Sequence, residues 1–202
     1  MTSIKERFNK WKNTRKGWQK AGDILFWVFL ILLIIPGPRK IISTTINRIS
    51  LHLRNPSIEK MEKQQQLSEA DYGWFVIDND GKKISLSNFR DEVVFLNFWA
   101  TWCPPCIAEL PEIEKLYNKF DDRVNFLLVT NEDPVKVNNF LESRGYNLPV
   151  YYSAVAPPEV FSGRALPTTY IISAEGRIVV RKTGAANWDS RATTKIFREL
   201  MP

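Results

Sequence analysis

The stretch FWATWCPPCIAELPE, residues 98–112, contains the only two cysteines of the 202-residue chain, Cys103 and Cys106. The apolar run VVFLNFWA leads into it and predicts a buried strand, and a helix is predicted from Pro105 onward. The two thiols therefore lie within one turn at the start of a helix. Pro104 and Pro105 suit this turn, because the N–H groups they lack have no partner at the start of a helix.

Several uses of a cysteine pair do not fit this sequence. A structural zinc site needs four protein ligands, but there is no further cysteine and the single histidine, His52, lies far along the chain. Covalent haem attachment needs a histidine after the second cysteine, and this position is Ile107. A purely structural disulfide remains an alternative, although closing so short a loop restricts the unfolded chain little. Redox chemistry is the favoured interpretation.

The position of the thiols predicts their separate roles. At the start of a helix, unpaired N–H groups and the helix dipole stabilise a thiolate, which is the attacking species in disulfide exchange. Cys103 is therefore the predicted nucleophile. Cys106, one turn later and deeper, is predicted to attack the mixed disulfide that Cys103 forms. The dithiol is itself the redox group, so no cofactor and no metal are expected.

The remainder of the chain from residue 71 alternates strand and helix patterns. The sequence predicts a hairpin about Asp80-Gly81, and four strands besides VVFLNFWA: VNFLLVTN, PVYYS, TTYIIS and RIVVRKTG. Helices are predicted over residues 105–120, 134–144 and 188–200. This order predicts an α/β domain over residues 71–202, with a mixed sheet that helices cover on both faces.

A family resemblance adds to this interpretation. VVFLNFWATWCPPCIAELPEIEKLY resembles the active-site region of the thioredoxin superfamily, specifically of the membrane-anchored thiol-disulfide oxidoreductases of the TlpA and ResA type. DNDGKKISLSNFRDEVV resembles the hairpin that precedes the active-site strand there, and ALPTTYIIS resembles the second signature of that family. The resemblance covers residue 72 to about 200, and it implies a thioredoxin-like fold with an N-terminal β-hairpin extension.

The resemblance also implies a substrate groove. Pro167 would be a cis proline beside the cysteines, and Thr183-Gly184-Ala185 would be a third loop along the groove; the alternative for this loop is a simple strand-to-helix connection. Of two nearby tryptophans, Trp99 is expected in the core and Trp102 at the rim. The expected substrate-binding residues are Trp102, Pro104, Pro105, Leu166, Pro167, Thr183, Gly184 and Ala185.

One acidic residue has two interpretations. Thioredoxin has a buried aspartate where this chain has Asn97, so that proton acceptor is missing. Glu109, on the same helix face as Cys106, matches an active-site glutamate of the ResA type and is proposed to take its place. The alternative is a solvated carboxylate that the helix dipole favours. Pro111, in the same helix, is expected to kink it, or to break it.

The N-terminal third differs from the domain in charge and hydropathy. Residues 1–70 carry 13 Lys and Arg against 5 Asp and Glu, whereas residues 71–202 carry 15 against 17. No basic patch with interleaved aromatic residues falls on the domain, so no nucleic-acid partner is expected. Residues 24–35, ILFWVFLILLII, are apolar without interruption. Such a run rises only about 18 Å as a helix, against roughly 30 Å of hydrocarbon, so it spans a bilayer only with its flanks.

These features predict the organisation of the whole chain: a basic cytoplasmic segment (1–20), a transmembrane anchor (21–38), a juxtamembrane segment and linker (39–70) and the thioredoxin-like domain (71–202). A cleaved signal is the alternative to the anchor, but no A-x-A site follows the apolar run. More basic residues precede the run than follow it. The positive-inside rule therefore favours a domain that faces outward. Together with the family resemblance, this implies the periplasmic side of the bacterial inner membrane.

The predicted function is reduction of disulfides in exported proteins, with cytochrome c precursors among the candidate clients. A membrane thiol donor is the expected source of electrons, and a monomer is the expected state. Oxidation or isomerisation by the same fold is the alternative, because the direction depends on the reduction potential. A metal-delivery or binding module is disfavoured, since such copper modules typically use CxxxC with a histidine, and this domain has no histidine.

Overall fold

The computed structural model describes residues 22–28, 65–161 and 165–201. Residues 22–28 are helical, and the apolar side chains of residues 24–28 are exposed. Within the three described ranges, no helix has both the length and the apolar content needed to cross a membrane. Residues 1–20, most of the predicted anchor 21–38, and residues 39–64 lie outside the described residues.

The domain is built on one mixed sheet of eight strands. The strands are β1 Gln65–Gln66, β2 Phe75–Ile77, β3 Lys83–Ser85, β4 Val93–Phe98, β5 Val124–Thr130, β6 Val150–Tyr152, β7 Thr168–Ile172 and β8 Arg177–Thr183. The helices are α1 Glu69–Tyr72, α2 Pro104–Phe120, α3 Pro134–Glu142 and α4 Arg191–Leu200, with 3-10 turns at Leu86–Phe89 and Glu159–Phe161. The strand order is β1-β8-β7-β4-β5-β6-β2-β3. The predicted thioredoxin-like α/β architecture is confirmed.

β4 lies at the centre of the sheet because its side chains suit burial on both faces. It pairs in parallel with β5 and antiparallel with β7. Val93 and Phe95 join one apolar core, whereas Val94 and Leu96 join the core on the opposite face. Successive side chains of a strand point to opposite faces, so an uninterrupted apolar run such as VVFLNF is what a strand covered on both sides requires.

Helix α2 follows β4 and begins at the cysteine motif. Cys103 is its N-cap, and Pro104 and Pro105 occupy its first two positions. The helix continues through Pro111 to Phe120. The alternative that the helix breaks at Pro111 is therefore wrong.

The described part of the domain includes residues before 71, within the segment predicted as linker. β1 pairs antiparallel with β8, and the Leu67 N–H donates to the Gly176 carbonyl at 2.9 Å. The Leu67 side chain is 5% exposed, and Ser68 caps α1 in a capping box with Asp71. The two glutamines of β1 join the sheet through their backbone and not through apolar side chains. The polar composition of this segment therefore gave no sign of a strand.

Two helix boundaries also differ from the prediction. α4 begins at Arg191 rather than near Trp188, because the Ser190 side chain caps it by accepting the N–H of Thr193. α3 ends at Glu142, two residues before the predicted end. Trp188 consequently lies in the loop between β8 and α4, and this loop contributes to the site described below.

Candidate active site

The two cysteines form a disulfide at the start of α2, with their Cα atoms 5.3 Å apart. Cys103 is 4% exposed and Cys106 is 0% exposed, so Cys106 is the deeper of the two, as predicted. The N–H of Cys106 donates to Cys103 Sγ at 3.3 Å. This N–H is one of the unpaired groups of the first helical turn, and it would stabilise a thiolate on Cys103 after reduction.

The cis-proline loop and the third loop are joined to each other. The Leu166–Pro167 peptide bond is cis, as the resemblance implied. The N–H of Gly184 donates to the Pro167 carbonyl at 2.8 Å, and Gly184 has a φ of 79°, in the left-handed region that favours glycine. Thr183 is exposed, whereas Ala185 is 2% exposed and packs against Ala108 of α2. The third loop therefore presents Thr183 outward and secures Ala185 to the active-site helix.

The residues around Cys103 divide into rim and core. Trp102 is 62% exposed and Trp99 is 1% exposed, in agreement with the two predicted environments. Pro104 and Pro105 are half-buried. Trp102 therefore offers a large apolar surface directly beside the predicted nucleophile.

A carboxylate that the sequence analysis missed holds the loop before Cys103. Glu132, in the loop after β5, accepts the N–H of Thr101 at 2.5 Å and its hydroxyl at 2.8 Å. Lys136 of α3 also donates to Glu132. Burial opposes ionisation of Glu132, but the hydrogen bonds from Lys136 and Thr101 outweigh burial and lower the pKa of this carboxyl below its usual range. Glu132 thereby connects the active-site loop to the start of α3.

Glu109 is fully buried, which rules out the alternative of a solvated carboxylate. Its Oε2 accepts the Ala186 N–H at 3.0 Å and Trp188 Nε1–H at 2.9 Å, and its Oε1 accepts Asn97 Nδ2–H at 3.0 Å. Burial raises the pKa of Glu109 to about 7, although the hydrogen bonds from Trp188, Ala186 and Asn97 act in the opposite direction. The site thus holds a carboxyl group that can gain and lose a proton near neutral pH. Its part in catalysis stays a prediction.

The donors to Glu109 come from separate parts of the chain. Asn97 interrupts the apolar run of β4, and a polar residue in a strand buried on both faces was a signal that it has a buried partner. Trp188 also packs against Phe95, with ring centroids 5.1 Å apart. No local pattern connects Trp188 with Glu109, because 79 residues separate them.

A cavity of about 390 Å³ opens at the carboxyl ends of β4, β5 and β6. Its walls include the apolar side chains of Phe98, Trp99, Val155, Phe161 and Leu166, together with the polar residues Thr130, Asn131 and Ser153. Leu166 also directly precedes the cis proline, so the cavity is continuous with the cis-proline loop. The arrangement places room for apolar groups next to the residues predicted to bind a substrate.

Comparison with known proteins agrees with this site. The Redoxin family model matches residues 74–196. The thiol-disulfide oxidoreductase ResA of Bacillus thuringiensis is 33% identical over 171 residues, covering 82% of this chain and 90% of the relative. ResA of Bacillus subtilis is 37% identical over 110 residues, covering 53% of this chain and 62% of the relative.

A solved structure shows the same fold. The exposed lipoprotein thioredoxin of Streptococcus pneumoniae superposes with a TM-score of 0.51 at 27% identity, covering 63% of this chain and 98% of that protein. The cysteine pair at a helix start, the cis proline and the sheet order are therefore accompanied by similarity in sequence and in fold. The chain belongs to the Redoxin family, as a ResA-type thiol-disulfide oxidoreductase of the thioredoxin superfamily.

Proposed function

We propose that the protein reduces disulfides of exported proteins and that Glu109 accepts the proton of Cys106 during the reaction. The observation that carries the proposal is the graded burial of the site: Cys103 retains some exposure, while Cys106 and Glu109 are fully buried on one face of α2. A client can reach only the first sulfur. The second sulfur is protected from solvent and lies one turn from a carboxyl group that titrates near neutral pH.

The reaction consists of two exchanges. The Cys103 thiolate attacks a client disulfide, the client S–S bond breaks, and one client sulfur leaves as a thiolate that takes a proton from water. Cys106 then gives its proton to Glu109 and attacks Cys103 Sγ, which releases the second client sulfur. Two electrons pass from the dithiol to the client, and the protein is left with the Cys103–Cys106 disulfide that the structure contains.

Client binding is assigned to the surface around Cys103. Trp102 supplies an exposed apolar contact, and the cis-proline loop supplies backbone groups that can pair with an extended peptide. The cavity beside Leu166 accommodates an apolar side chain of such a peptide. Pro104, Pro105, Thr183 and Gly184 complete this surface, whereas Ala185 contributes by fixing the third loop.

The cellular setting is part of the proposal. The apolar run at residues 24–35 supports a membrane anchor within residues 21–38, with the domain on the periplasmic side. The similarity to an exposed lipoprotein thioredoxin agrees with a position outside the cytoplasm. A membrane thiol donor would return two electrons to the disulfide after each turnover. Exported proteins with disulfides, including cytochrome c precursors, are the proposed clients, and the protein is proposed to act as a monomer.

The experiment that tests the function is a redox titration of the full-length protein in detergent against glutathione and dithiothreitol couples. A potential well below that of the glutathione pool supports a reductase that needs a supply of electrons. A potential well above it refutes reduction and indicates an oxidase of the same fold. Cys103→Ser is the control, because it cannot form the disulfide and should show no two-electron transition.

A further inference from the structure

The two oxygens of Glu109 have partners of different chemical kinds. Oε2 accepts from the Trp188 indole N–H and the Ala186 backbone N–H, and these two groups can only donate. Oε2 must therefore be an acceptor whether or not the carboxyl group is protonated. A proton on Oε2 would compete with these two donors for the lone pairs of this oxygen, so Oε1 is the favoured position for a proton taken up by Glu109.

Oε1 faces a group that can reverse its hydrogen bond. Asn97 now donates through Nδ2 to Oε1 at 3.0 Å and to Thr169 Oγ1 at 2.8 Å, which suits an ionised carboxylate. Its Oδ1 is buried and has no hydrogen-bond partner within the described residues. Rotating the Asn97 amide by half a turn would bring Oδ1 to the position of Nδ2. Oδ1 would then accept from a protonated Oε1 and from the Thr169 hydroxyl, since a hydroxyl can donate as well as accept.

We propose that Glu109 carries its proton on Oε1 and that Asn97 and Thr169 reverse their hydrogen bonds each time this proton arrives or leaves. Asn97, Thr169 and Trp188 are then positioning residues. Trp188 fixes the oxygen that stays an acceptor, and Asn97 follows the proton. The reversal concerns Glu109 itself, whereas its use in catalysis rests on the proposed function.

The surroundings explain why an amide suits position 97. An aspartate there could not donate to an ionised Glu109, and two buried carboxylates would repel each other. Asn97 and Thr169 are both buried, at 0% and 1% exposure, so bulk solvent does not reach this pair. The pKa of Glu109 is set by burial and by hydrogen bonds from β4 and from the loop before α4, with no charged side chain of the described residues contributing. Cys106 on α2, once reduced, is the titratable neighbour.

Nuclear magnetic resonance of the oxidised full-length protein in detergent tests the reversal without thiol chemistry. The Asn97 side-chain amide signals, assigned by their loss in Asn97→Val, should shift with the same pH midpoint as the Glu109 carboxyl carbon. In Glu109→Gln the Asn97 amide signals should no longer titrate and should match those of the wild type at low pH. The reason is that the glutamine amide, like a protonated Glu109, presents a donor to Asn97 Oδ1. Asn97 signals that do not follow Glu109, or that match the high-pH form in Glu109→Gln, overturn the proposal.

Two substitutions provide an independent measurement. Trp188→Phe removes a donor from Oε2, where negative charge remains, and should raise the Glu109 midpoint by one pH unit or more, a tenfold increase in proton affinity. Asn97→Val removes a hydrogen-bond partner that serves both the ionised and the protonated Glu109. It should therefore shift the Glu109 midpoint less than half as far as Trp188→Phe does. Trp74→Phe is the matched control, since Trp74 Nε1 is buried without a partner in the described part of the chain. Equal shifts in Trp188→Phe and Asn97→Val refute the reversal.

If Trp188→Phe does not fold, the amide titration of the wild type still decides the matter. A different experiment tests the catalytic role proposed for Glu109. This role is refuted if Glu109→Gln keeps the wild-type pH dependence of disulfide exchange. That kinetic result would not bear on the reversal of the Asn97 amide, which the titration of the oxidised protein tests.

Discussion

Replacing Glu109 by glutamine should stabilise the protein at alkaline pH and leave its stability nearly unchanged at pH 4. The pKa of Glu109 rises from 4.5 in the unfolded chain to about 7 in the folded protein because the carboxyl group is buried. Below pH 4.5 the group is protonated in both states. As pH rises through the window from 4.5 to 7, the unfolded chain loses this proton first, so the free energy of unfolding falls.

The size of this effect follows from the shift. A difference of about 2.5 pH units at about 1.36 kcal/mol per unit corresponds to about 3 kcal/mol, fully expressed above pH 7. Glutamine resembles the protonated carboxyl group: its oxygen can accept from Ala186 and Trp188, and its amide can donate to the Asn97 oxygen after Asn97 turns. It therefore removes the cost of ionisation while it keeps an acceptor for the Ala186 and Trp188 donors.

Urea denaturation of the oxidised protein between pH 4 and pH 8 measures the difference. We expect the free energy of unfolding of Glu109→Gln to exceed that of the wild type by about 3 kcal/mol at pH 8 and to match it at pH 4. Glu112→Gln is the matched control, because it removes a carboxylate from the same helix without touching the donors to Glu109. A difference between Glu109→Gln and wild type that does not change with pH would refute the assigned pKa.

Three further predictions concern the cysteines and the loop around them. Cys106→Ser should accumulate mixed disulfides between Cys103 and client proteins, seen as bands that a reductant removes, whereas Cys103→Ser should accumulate none; equal trapping by both variants contradicts the assigned roles. Trp102→Ala should lower kcat/KM for a disulfide peptide about tenfold without changing Tm, because Trp102 is 62% exposed; an unchanged kcat/KM would remove it from the client surface. Glu132→Gln should lower the free energy of unfolding by about 1–3 kcal/mol, since the donors of Thr101 and Lys136 lose their charged acceptor. Denaturation at neutral pH checks this, and wild-type stability of the variant would show that this contact is not needed.

Most of the fold could be predicted because its central elements have clear local patterns. The apolar runs of β4 and β5 and the hairpin about Asp80-Gly81 appear where the sequence placed them. β1 was missed because an edge strand of two glutamines is defined by its backbone pairing with β8, not by apolar periodicity. The start of α4 was misplaced because Ser190, a good cap, follows two residues that also fit a helix pattern.

The site was predictable to the extent that it is local. Cys103, Cys106 and Glu109 lie within seven positions on one helix, and their spacing alone places them together. The cis conformation of Pro167 came from family resemblance alone. Trp188 and Glu132 reach the site through loops, so their partners depend on the register of the sheet and on loop conformation, which single-sequence patterns do not contain.

The positions of the donors to Glu109 in the chain determine when the site is complete during synthesis. The cysteines and Glu109 lie in the middle of the chain, but Ala186 and Trp188 belong to its last twenty residues. In a nascent chain both thiols are made well before the two groups that donate hydrogen bonds to Glu109 Oε2. Its dithiol can form a disulfide early. If Glu109 accepts the Cys106 proton as proposed, efficient exchange has to wait until the loop before α4 has folded against α2. On the proposed role of Glu109, removal of the loop before α4 should therefore leave a protein that still reacts with thiol reagents but turns over slowly.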